Sequence, residues 1–249
     1  MPLNGQDRIR PAEFHYQAGH TTDNHTHQEH QLVYASAGLL TVDTSDGRWV
    51  VPPLRAVWVP AGIKHIVTAR AESTMSTLYI DGTTIISGLE GVTVVRMTPL
   101  LRELILHVTT DSLSQEEHRR VEAVILDQLS PDPAAPLQIP VLHDSRIRSI
   151  SDSLQHDPTD TRTLEQFGLE VGASERTLQR LFKGETGTSF GQWRTQLRLQ
   201  HSIIELGKGS NVTGAAIDSG YNETSSYINA FRRAFGTTPG AYFRINPRP

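Results

Sequence analysis

The sequence contains no cysteine among its 249 residues. Disulfide bonds and thiolate metal sites are therefore excluded, and the composition suits a reducing compartment such as the cytoplasm. No apolar run approaches the roughly 18 residues that a membrane-spanning helix needs. The first residues lack a basic segment followed by an apolar stretch, so we expect no signal peptide, a cytoplasmic location and no membrane partner. Any metal has to be bound by oxygen ligands or by the 11 histidines.

Charge is also scarce. Charged residues make up 20% of the chain and the formal net charge is −4, which argues mildly against a nucleic-acid partner. The charge is unevenly distributed along the chain. Residues 1–143 contain 10 Lys/Arg and 16 Asp/Glu, whereas residues 144–249 contain 13 Lys/Arg and 11 Asp/Glu. Only the C-terminal part has the positive sign that DNA binding needs.

Short apolar or alternating runs dominate residues 14–80 and then give way to a helical pattern. The runs predict strands, with a hairpin turn at Asp46-Gly47, at a spacing typical of a small barrel or sandwich. The helical pattern starts near Thr98 and includes a capping box formed by Ser114 and Glu117. The predicted strands are Gln31–Ala35, Leu39–Thr44, Trp49–Val51, Ala56–Val59 and Met75–Ile80.

These patterns predict an α+β protein with more than one domain. Residues 1–97 should form the barrel, and the apolar stripes of 98–130 should form helices that either cover the barrel or make a dimer interface. Closely spaced prolines predict a linker at 131–142, because proline cannot continue a helix or pair in a central strand. Residues 143–249 should form a domain of short helices.

An internal repeat lies in the last hundred residues. It has a shift of 48 residues before a glycine turn and of 49 after it. Each copy reads as a helix, a glycine turn, a polar N-cap at Ser174 or Asn222, and a second helix, which is the pattern of a helix-turn-helix unit. The matched residues before the turn are Leu164, Gly168 and Gly172 with Val212, Ala216 and Gly220.

The second helix of each copy has one apolar and one polar face. Arginine pairs with guanine, Gln or Asn with adenine, and an aliphatic side chain contacts a thymine methyl group, so the polar faces predict major-groove readers. Lysine and arginine nearer the helix ends predict phosphate contacts. The predicted DNA-binding residues are Arg176, Gln179, Arg180 and Lys183 in the first copy, and Ser225, Ile228, Asn229, Arg232 and Arg233 in the second.

The segments Ser174–Phe182 and Gly220–Pro239 resemble the signature of the AraC/XylS family of transcription regulators. The resemblance covers about residues 144–245. It implies seven helices, sequence-specific binding to double-stranded promoter DNA and often contact with RNA polymerase. The chain departs from the family pattern at Gly168, where alanine is usual, and at Ala215, where isoleucine is expected.

The N-terminal part contains a second constellation, His25-x-His27 with Gln31 and His65. In an extended strand, alternate side chains share a face, so His25, His27 and Gln31 should point to the same side. Imidazoles with an amide oxygen suit a divalent metal ion, and Zn, Ni, Mn or Fe all remain open. Glu29 has the strand parity to replace Gln31 as the oxygen ligand.

The spacing of these residues resembles the two cupin motifs, with Gln31 at the position where glutamate is usual. It implies a cupin-like sensor barrel of the type attached to many AraC-family regulators. An alternative is that the barrel binds an organic effector without metal, through Tyr34, Arg55 and Trp58.

Three functions are compatible with these features. The first is a DNA-binding transcription regulator, acting as a homodimer, whose activity depends on a metal ion or small molecule in the barrel. The second is a metal-dependent cupin enzyme of the oxygenase type fused to a DNA-binding module. The third is a constitutive DNA-binding protein whose barrel only dimerises. We favour the regulator and expect no enzyme activity, because Gln31 replaces a carboxylate and no general acid or base accompanies the cluster.

Overall fold

The computed structural model describes residues 7–132 and 137–244, which form two compact units. The first unit contains residues 7–45 and 49–132, together with 242–244. The second contains residues 46–48 and 137–241. Part of the predicted linker, residues 133–136, and the last five residues of the predicted C-terminal domain lie outside the described residues. Across the two described ranges, no helix has the length and apolar character needed to cross a membrane.

The first unit consists of strands followed by a pair of helices. The strands are β1 (Ile9–Tyr16), β2 (His30–Ala37), β3 (Leu40–Thr44), β4 (Gly47–Val51), β5 (Arg55–Val59), β6 (His65–Ala69), β7 (Ser73–Ile80) and β8 (Thr93–Arg96). The helices are α1 (Pro99–Thr110) and α2 (Gln115–Gln128). All five predicted strands are present with slightly different bounds, whereas β1, β6 and β8 were not predicted from the sequence.

The strands form two sheets. One has the order β1-β7-β2-β5-β8, and in the other β6, β3 and β4 are successive neighbours. The pairs β1–β7, β2–β7, β2–β5, β5–β8 and β3–β6 are antiparallel. Strand β1 lies at the edge of the first sheet and contains Pro11, which an edge position tolerates because proline has no amide hydrogen to donate.

Helices α1 and α2 cover one face of the first sheet. The Thr98 hydroxyl caps α1 by accepting from the amide of Leu101, and the predicted capping box of Ser114 and Glu117 begins α2. The sheet and helix side chains together form one apolar cluster, so the helices bury a face of the sheet rather than standing apart from it. The cluster includes Leu32, Tyr34, Ala56, Trp58, Leu78 and Ile80 from the sheet and Leu101, Ile105, Val108 and Ile125 from the helices.

A polar contact fixes the first strand to the second helix. The buried carboxylate of Glu122 accepts a hydrogen bond of 2.6 Å from the amide of Ile9, and His118 Nε2 donates to the carbonyl oxygen of the same residue over 3.1 Å. The same His118 nitrogen lies 3.3 Å from Glu122. Since a buried carboxylate without partners is costly, these contacts explain why Glu122 is tolerated in the apolar side of α2.

The second unit contains strand β9 (Gln138–Pro140) and most of the C-terminal helices, of which the last, α9, ends in residues 242–244 of the first unit. The helices are α3 (Ser145–His156), α4 (Leu164–Val171), α5 (Glu175–Thr186), α6 (Phe190–Lys208), α7 (Val212–Asp218), α8 (Thr224–Phe235) and α9 (Pro239–Arg244). In the described residues, the helices from α3 onward therefore number the seven that the family resemblance implies. Their core includes Ile150, Leu154, Phe167, Leu178, Phe182, Trp193 and Leu197.

The polar caps of the two repeat copies differ. Ser174 caps α5 through its hydroxyl, as predicted. The predicted cap Asn222 is wrong, because α8 has Glu223 at its N-cap position and no side-chain hydrogen bond there. The repeat shift explains the error: beyond the glycine turn it is 49 residues, so Ser174 corresponds to Glu223 rather than Asn222.

Small residues bring the helices of each copy together. Gly172 ends α4 in the left-handed conformation, with φ of 66°, and Gly220 follows α7 with φ of 81°. A Cβ atom at Gly168 would collide with the carbonyl oxygen of Ala173. The turn therefore leaves no room for a side chain at position 168, which explains glycine at a position where the AraC/XylS pattern usually has alanine.

Candidate metal centre and nucleic-acid interface

Backbone pairing brings the histidine cluster together. His25 lies in the segment before β2, and His65 is the first residue of β6. Their backbones form an isolated antiparallel bridge, in which the His25 amide donates to the His65 carbonyl oxygen (3.1 Å) and the His65 amide donates back (2.9 Å). Gln31 enters from β2 in the opposite sheet. The fold therefore brings together residues from three separate segments, as the motif spacing predicted.

The three imidazoles of the cluster are close enough to share one ion. One ring nitrogen from each of His25, His27 and His65 lies within 4.8 Å of the other two. Two nitrogen atoms bound to one zinc ion, each at about 2.1 Å, lie at most about 4.2 Å apart. In a tetrahedral site such nitrogen atoms lie about 3.4 Å apart, so a contraction of up to about 1.4 Å brings all three rings onto one ion.

Backbone carbonyl groups orient two of the rings. His25 Nδ1 lies 2.7 Å from the carbonyl oxygen of Asp23, and His65 Nδ1 lies 3.0 Å from that of Ile63. Because a carbonyl oxygen only accepts, each Nδ1 carries the hydrogen and each Nε2 keeps its lone pair in the neutral ring. Histidine ligands in metal sites are fixed in the same way, with the distal nitrogen donating to a carbonyl or carboxylate oxygen.

The contact between Gln31 and His65 brings two lone pairs together. Gln31 Nε2 donates to the hydroxyl of Thr77 (3.1 Å), which donates in turn to the carbonyl oxygen of Leu32 (2.9 Å). This chain turns Gln31 Oε1 towards His65 Nε2, at 2.8 Å. Burial lowers the pKa of His65 to about 4, so the ring is neutral near pH 7. With the ring hydrogen on Nδ1, the lone pair of Nε2 and the amide oxygen lie side by side, where both can bind one cation.

His27 supplies a further unsatisfied nitrogen. Its Nε2 atom is buried and has no hydrogen-bond partner among the described residues. Burial, and secondarily the neighbouring His25, lower the pKa of His27, which favours the neutral ring that binds metal. The orphaned nitrogen of His27 and the paired acceptors of Gln31 and His65 have the chemistry of a divalent metal site, and the residues therefore fit such an ion.

Glu29 does not replace Gln31 in this arrangement. The Glu29 carboxylate lies 3.5 Å from the guanidinium of Arg10, and the described residues that could hold an ion together are the three histidines. Strand parity alone allowed Glu29 to reach the site, but the ion pair with β1 holds it aside. The oxygen at the cluster is thus the uncharged amide oxygen of Gln31.

Of the three residues predicted to bind an organic effector, Tyr34 and Trp58 lie together in the apolar core, whereas Arg55 has a different partner. Tyr34 and Trp58 are 0% and 1% exposed and belong to the cluster beneath α1 and α2. Trp58 stacks on the ring of His30, with centroids 4.8 Å apart. Arg55 forms an ion pair of 2.7 Å with the buried Asp132. Since side chains alternate between sheet faces, Tyr34 lies on the face opposite to Gln31.

Two residues next to the histidine cluster were missed from the sequence. Tyr79 packs edge-on against His27, with ring centroids 5.0 Å apart, and Arg10 lies 4.0 Å above the Tyr79 ring. Tyr79 falls in a predicted strand, and its parity could have indicated the site. Arg10 had no such signal, because the proline after it and the exposed residues that follow hid β1.

The predicted DNA-reading side chains lie on the exposed faces of α5 and α8. Leu178 and Phe182 of α5 and Tyr227 and Phe231 of α8 are completely buried, which fixes the opposite face of each helix towards solvent. The predicted readers are all exposed except for the partly buried Ile228. On α5 they are Arg176, Gln179, Arg180 and Lys183, and on α8 they are Ser225, Asn229, Arg232 and Arg233.

The polar face of α5 has two local hydrogen bonds. Gln179 donates to Glu175 over 2.8 Å, and the Lys183 ammonium donates to the carbonyl oxygen of Gly187 over 2.5 Å. Arg176 and Arg180 share a surface groove with Ser189 and Phe190 at the start of α6. The groove thus joins the reading face of α5 to the N-terminus of the linking helix, a position where backbone amides favour an anion such as a phosphate group.

The long helix α6 joins the two copies. Its Trp193 packs in the core of the first copy, 5.2 Å from the ring of Phe182. Arg198 donates to the carbonyl oxygens of Pro158 and Asp160, each over 3.0 Å. The turn at Gly220 approaches the same Pro158 oxygen. The turn of the second copy and the loop before the first therefore meet on α6, which holds the two copies in a fixed arrangement.

Comparison with known protein families defines the class of protein. A family model described as an AraC-like ligand binding domain matches residues 10–154, and one described as a helix-turn-helix domain matches residues 169–245. The regulator NimR of Escherichia coli K12 is 34% identical over 225 residues, which cover 89% of this chain and 82% of NimR. The chain therefore belongs to the AraC family of transcription regulators, with an N-terminal ligand-binding domain and a C-terminal DNA-binding domain.

Other similar proteins are regulators as well. RipA of Corynebacterium glutamicum is 34% identical over 155 residues, which cover 59% of this chain and 45% of RipA. Among solved structures, ToxT of Vibrio cholerae aligns over 96% of this chain and 99% of its own, with 12% identity and a TM-score of 0.42. The DNA-binding domain of AdpA, in complex with a target DNA, aligns over 41% of this chain and 96% of its own, with 24% identity and a TM-score of 0.38. The family assignment rests on the sequence matches.

Proposed function

We propose that this transcription regulator binds a divalent metal ion through His25, His27, His65 and Gln31, and that the bound ion adjusts its affinity for promoter DNA. Promoter DNA is read by the exposed faces of α5 and α8, and RNA polymerase is the expected partner at the promoter. The observation that carries the metal assignment is the convergence of three imidazoles, those of His25, His27 and His65, with one ring nitrogen of each within 4.8 Å of the other two.

The donor set suits sensing better than catalysis. When bound, the ion supplies a positive charge and open coordination positions for a ligand. The chain itself brings three neutral imidazoles and an amide oxygen. In the oxygenase type of cupin enzyme, the alternative function, we expect a carboxylate close to the ion, and the carboxylate of Glu29 is paired with Arg10 instead. Similar proteins with this domain arrangement are regulators, which also supports a sensor.

The proposal is tested by binding-site selection from genomic fragments, with and without a chelator. We expect a defined sequence to be enriched and its affinity to change on chelation. Metal analysis of the purified chain should find about one divalent ion per chain. Turnover of a candidate compound by metal-loaded protein, abolished by His65→Ala, would instead support the enzyme. A selected site whose affinity is unaffected by chelation would support the constitutive DNA-binding protein.

The reading face of α5 is tested by Arg176→Ala. Arg176 is exposed near the start of α5, where a side chain reaches base edges. We expect binding to the selected site to weaken by about 1–3 kcal/mol, with relaxed specificity at one base pair. The measurement is a competition assay against sites with single base changes. Arg148→Ala, which removes an exposed arginine of α3 outside both copies, is the control and should leave specificity unchanged. Unchanged selectivity in Arg176→Ala would show that another face reads DNA.

We also propose that α1 and α2 pair two copies of the chain. Leu100 of α1 is 50% exposed and Val124 of α2 is 40% exposed, although both helices pack their other side on the sheet. Contiguous exposed apolar patches mark protein–protein interfaces, and a patch formed by these two helices would suit a second copy of the chain. The double variant Leu100→Arg/Val124→Arg should shift the chain from dimer to monomer in light scattering at micromolar concentration. Replacement of Leu169, 84% exposed on α4, by arginine should leave the mass unchanged.

A further inference from the structure

We propose that Arg10 binds the anionic group of an effector beside the histidine cluster, and that the effector is a carboxylate or another oxyanion. The proposal rests on the metal site assigned above. It adds the chemical class of the ligand and a residue that recognises it, neither of which follows from the metal site alone.

Strand register places Arg10 in a row with the cluster. Arg10 of β1 is paired with Tyr79 of β7, and Tyr79 is paired with Gln31 of β2. Directly paired residues of neighbouring strands point to the same side of a sheet. The guanidinium, the phenol ring and the amide oxygen at the cluster therefore occupy one face of one sheet, in that order. Neighbouring strands are about 4.8 Å apart, so the backbones of Arg10 and Gln31 are about 9.6 Å apart, a span that two long side chains and a small ligand can bridge.

The Arg10 guanidinium is held in place but keeps an unused donor. It stacks 4.0 Å above the ring of Tyr79, and its terminal nitrogen has a long contact of 3.5 Å with Glu29. Its Nε atom is buried and has no hydrogen-bond partner among the residues that the structure describes. A buried N–H without an acceptor is costly, and Nε with the adjacent terminal nitrogen forms the fork that binds carboxylate and phosphate groups bidentately.

Charge favours an anion at the same place. The three imidazoles and the amide of Gln31 bring no negative charge, so a bound divalent ion keeps both of its positive charges. Arg10 adds a third positive charge, and Glu29 offsets one of the three. A carboxylate group at the open side of the cluster would satisfy the ion and the Arg10 fork together. The Arg10 side chain as a whole is 32% exposed although its Nε atom is buried, so a ligand approaches the guanidinium from its exposed part.

The experiment titrates full-length protein loaded with Co²⁺, whose visible absorption reports changes in ligation. The probes are succinate, acetate and inorganic phosphate, in a buffer without chloride. We expect a probe to change the cobalt spectrum and to bind the loaded protein more tightly than the metal-free protein by calorimetry. Tighter binding of succinate identifies a carboxylate effector, whereas tighter binding of phosphate identifies an inorganic or phosphoryl oxyanion.

Two variants isolate the role of Arg10. Arg10→Gln should weaken binding of the preferred anion about tenfold or more, while Co²⁺ affinity remains within a few-fold of the parent. Arg10→Lys keeps the charge without the fork and should give an intermediate affinity. Arg8→Gln removes an exposed arginine two residues away and should bind like the parent. Thermal unfolding of each variant checks that the sheet remains folded.

The outcomes separate this inference from the metal site itself. If Co²⁺ does not bind, the proposed metal site fails, and this inference fails with it. If Co²⁺ binds but none of the three anions changes its spectrum, the metal site stands and the anion site is rejected. If the anion binds equally well to the parent and to folded Arg10→Gln, Arg10 is not the recognising residue.

Discussion

Alanine at position 65 is expected to reduce the affinity for divalent metal about 100-fold or more and to remove the effect of chelators on DNA binding. His65 is 1% exposed and is oriented by the carbonyl oxygen of Ile63. Changes in the groups that merely orient a ligand cost about 10–100-fold in affinity, so loss of the ligand itself should cost at least as much. Competition against a fluorescent chelator gives the metal affinity, and fluorescence anisotropy of labelled promoter DNA gives the response.

His15→Ala is the matched control, because it removes an imidazole that is 76% exposed. His15 lies on β1, a strand that contains none of the proposed metal ligands. It should retain the parental metal affinity. His65→Gln tests whether loss of the side chain disturbs the fold, since glutamine fills a similar volume and is a weaker ligand. If the His65→Ala variant bound metal as tightly as the parent and still responded to chelators, the histidine cluster would not be the metal centre.

Gln31→Glu tests the same site with a substitution that should increase, rather than decrease, its affinity for metal. The substitution adds a negative charge at 2.8 Å from the His65 ring and supplies the carboxylate that the cupin pattern usually has. It also removes the amide donor to Thr77. We expect tighter metal binding together with lower stability of the metal-free chain, because a buried carboxylate without an ion is costly. The same chelator competition, combined with thermal unfolding with and without metal, measures both effects.

Alanine at position 220 is expected to destabilise the second helix-turn-helix copy by about 2–5 kcal/mol. Gly220 has φ of 81°, a conformation that costs an L-residue roughly 1–2 kcal/mol. A Cβ atom there would also lie 2.5 Å from the carbonyl oxygen of Pro158 and 2.9 Å from the Arg198 guanidinium. Overpacking of this kind typically costs a further 1–3 kcal/mol or so.

Gly172→Ala separates the two contributions to the Gly220 effect. Gly172 is the corresponding glycine of the first copy, with φ of 66°, but a Cβ atom there meets nothing within 4 Å. It should therefore cost only the conformational term, about 1–2 kcal/mol. Hydrogen exchange resolved by peptide over α4–α5 and α7–α8 measures each copy in the full chain. Equal effects at the two glycines would show that the approach to Pro158 and Arg198 does not contribute.

The C-terminal domain could be predicted in detail because its signals are local. Helix periodicity, N-caps such as Asp144 and Ser174, and glycine turns act within a few residues, so the sequence reveals them directly. The start of α8 was predicted wrongly, because the residue at its N-cap, Glu223, makes no side-chain capping bond. The repeat shift of 49 residues beyond the turn indicates Glu223 as the N-cap. Asn222, one position earlier, belongs to a residue type preferred at N-caps and therefore obscured it.

The N-terminal domain depends on contacts that are distant in sequence. Strand β1 pairs with β7, which is 57 to 71 residues away in sequence, from Tyr16 with Ser73 to Ile9 with Ile80, and its pattern is masked by Pro11. The histidine cluster could be predicted because the types and spacing of its residues are specific, although only the fold shows that Gln31 rather than Glu29 faces His65. Alternation along β2 indicates that Tyr34 and Gln31 point to opposite faces. It does not tell which face the helices cover, so the burial of Tyr34 and Trp58 beneath α1 and α2 could not be predicted.

The anchoring of β1 to α2 affects how the first sheet behaves at its exposed edge. An edge strand offers unpaired backbone groups to the strands of other molecules, which is a route to aggregation. At Ile9 both backbone groups are engaged, the amide by Glu122 and the carbonyl oxygen by His118, and Pro11 has no amide hydrogen to offer. At the start of this edge, few backbone amide and carbonyl groups are therefore free to pair with a strand of another molecule. Loss of Glu122 would expose it and make the chain prone to association through its sheets.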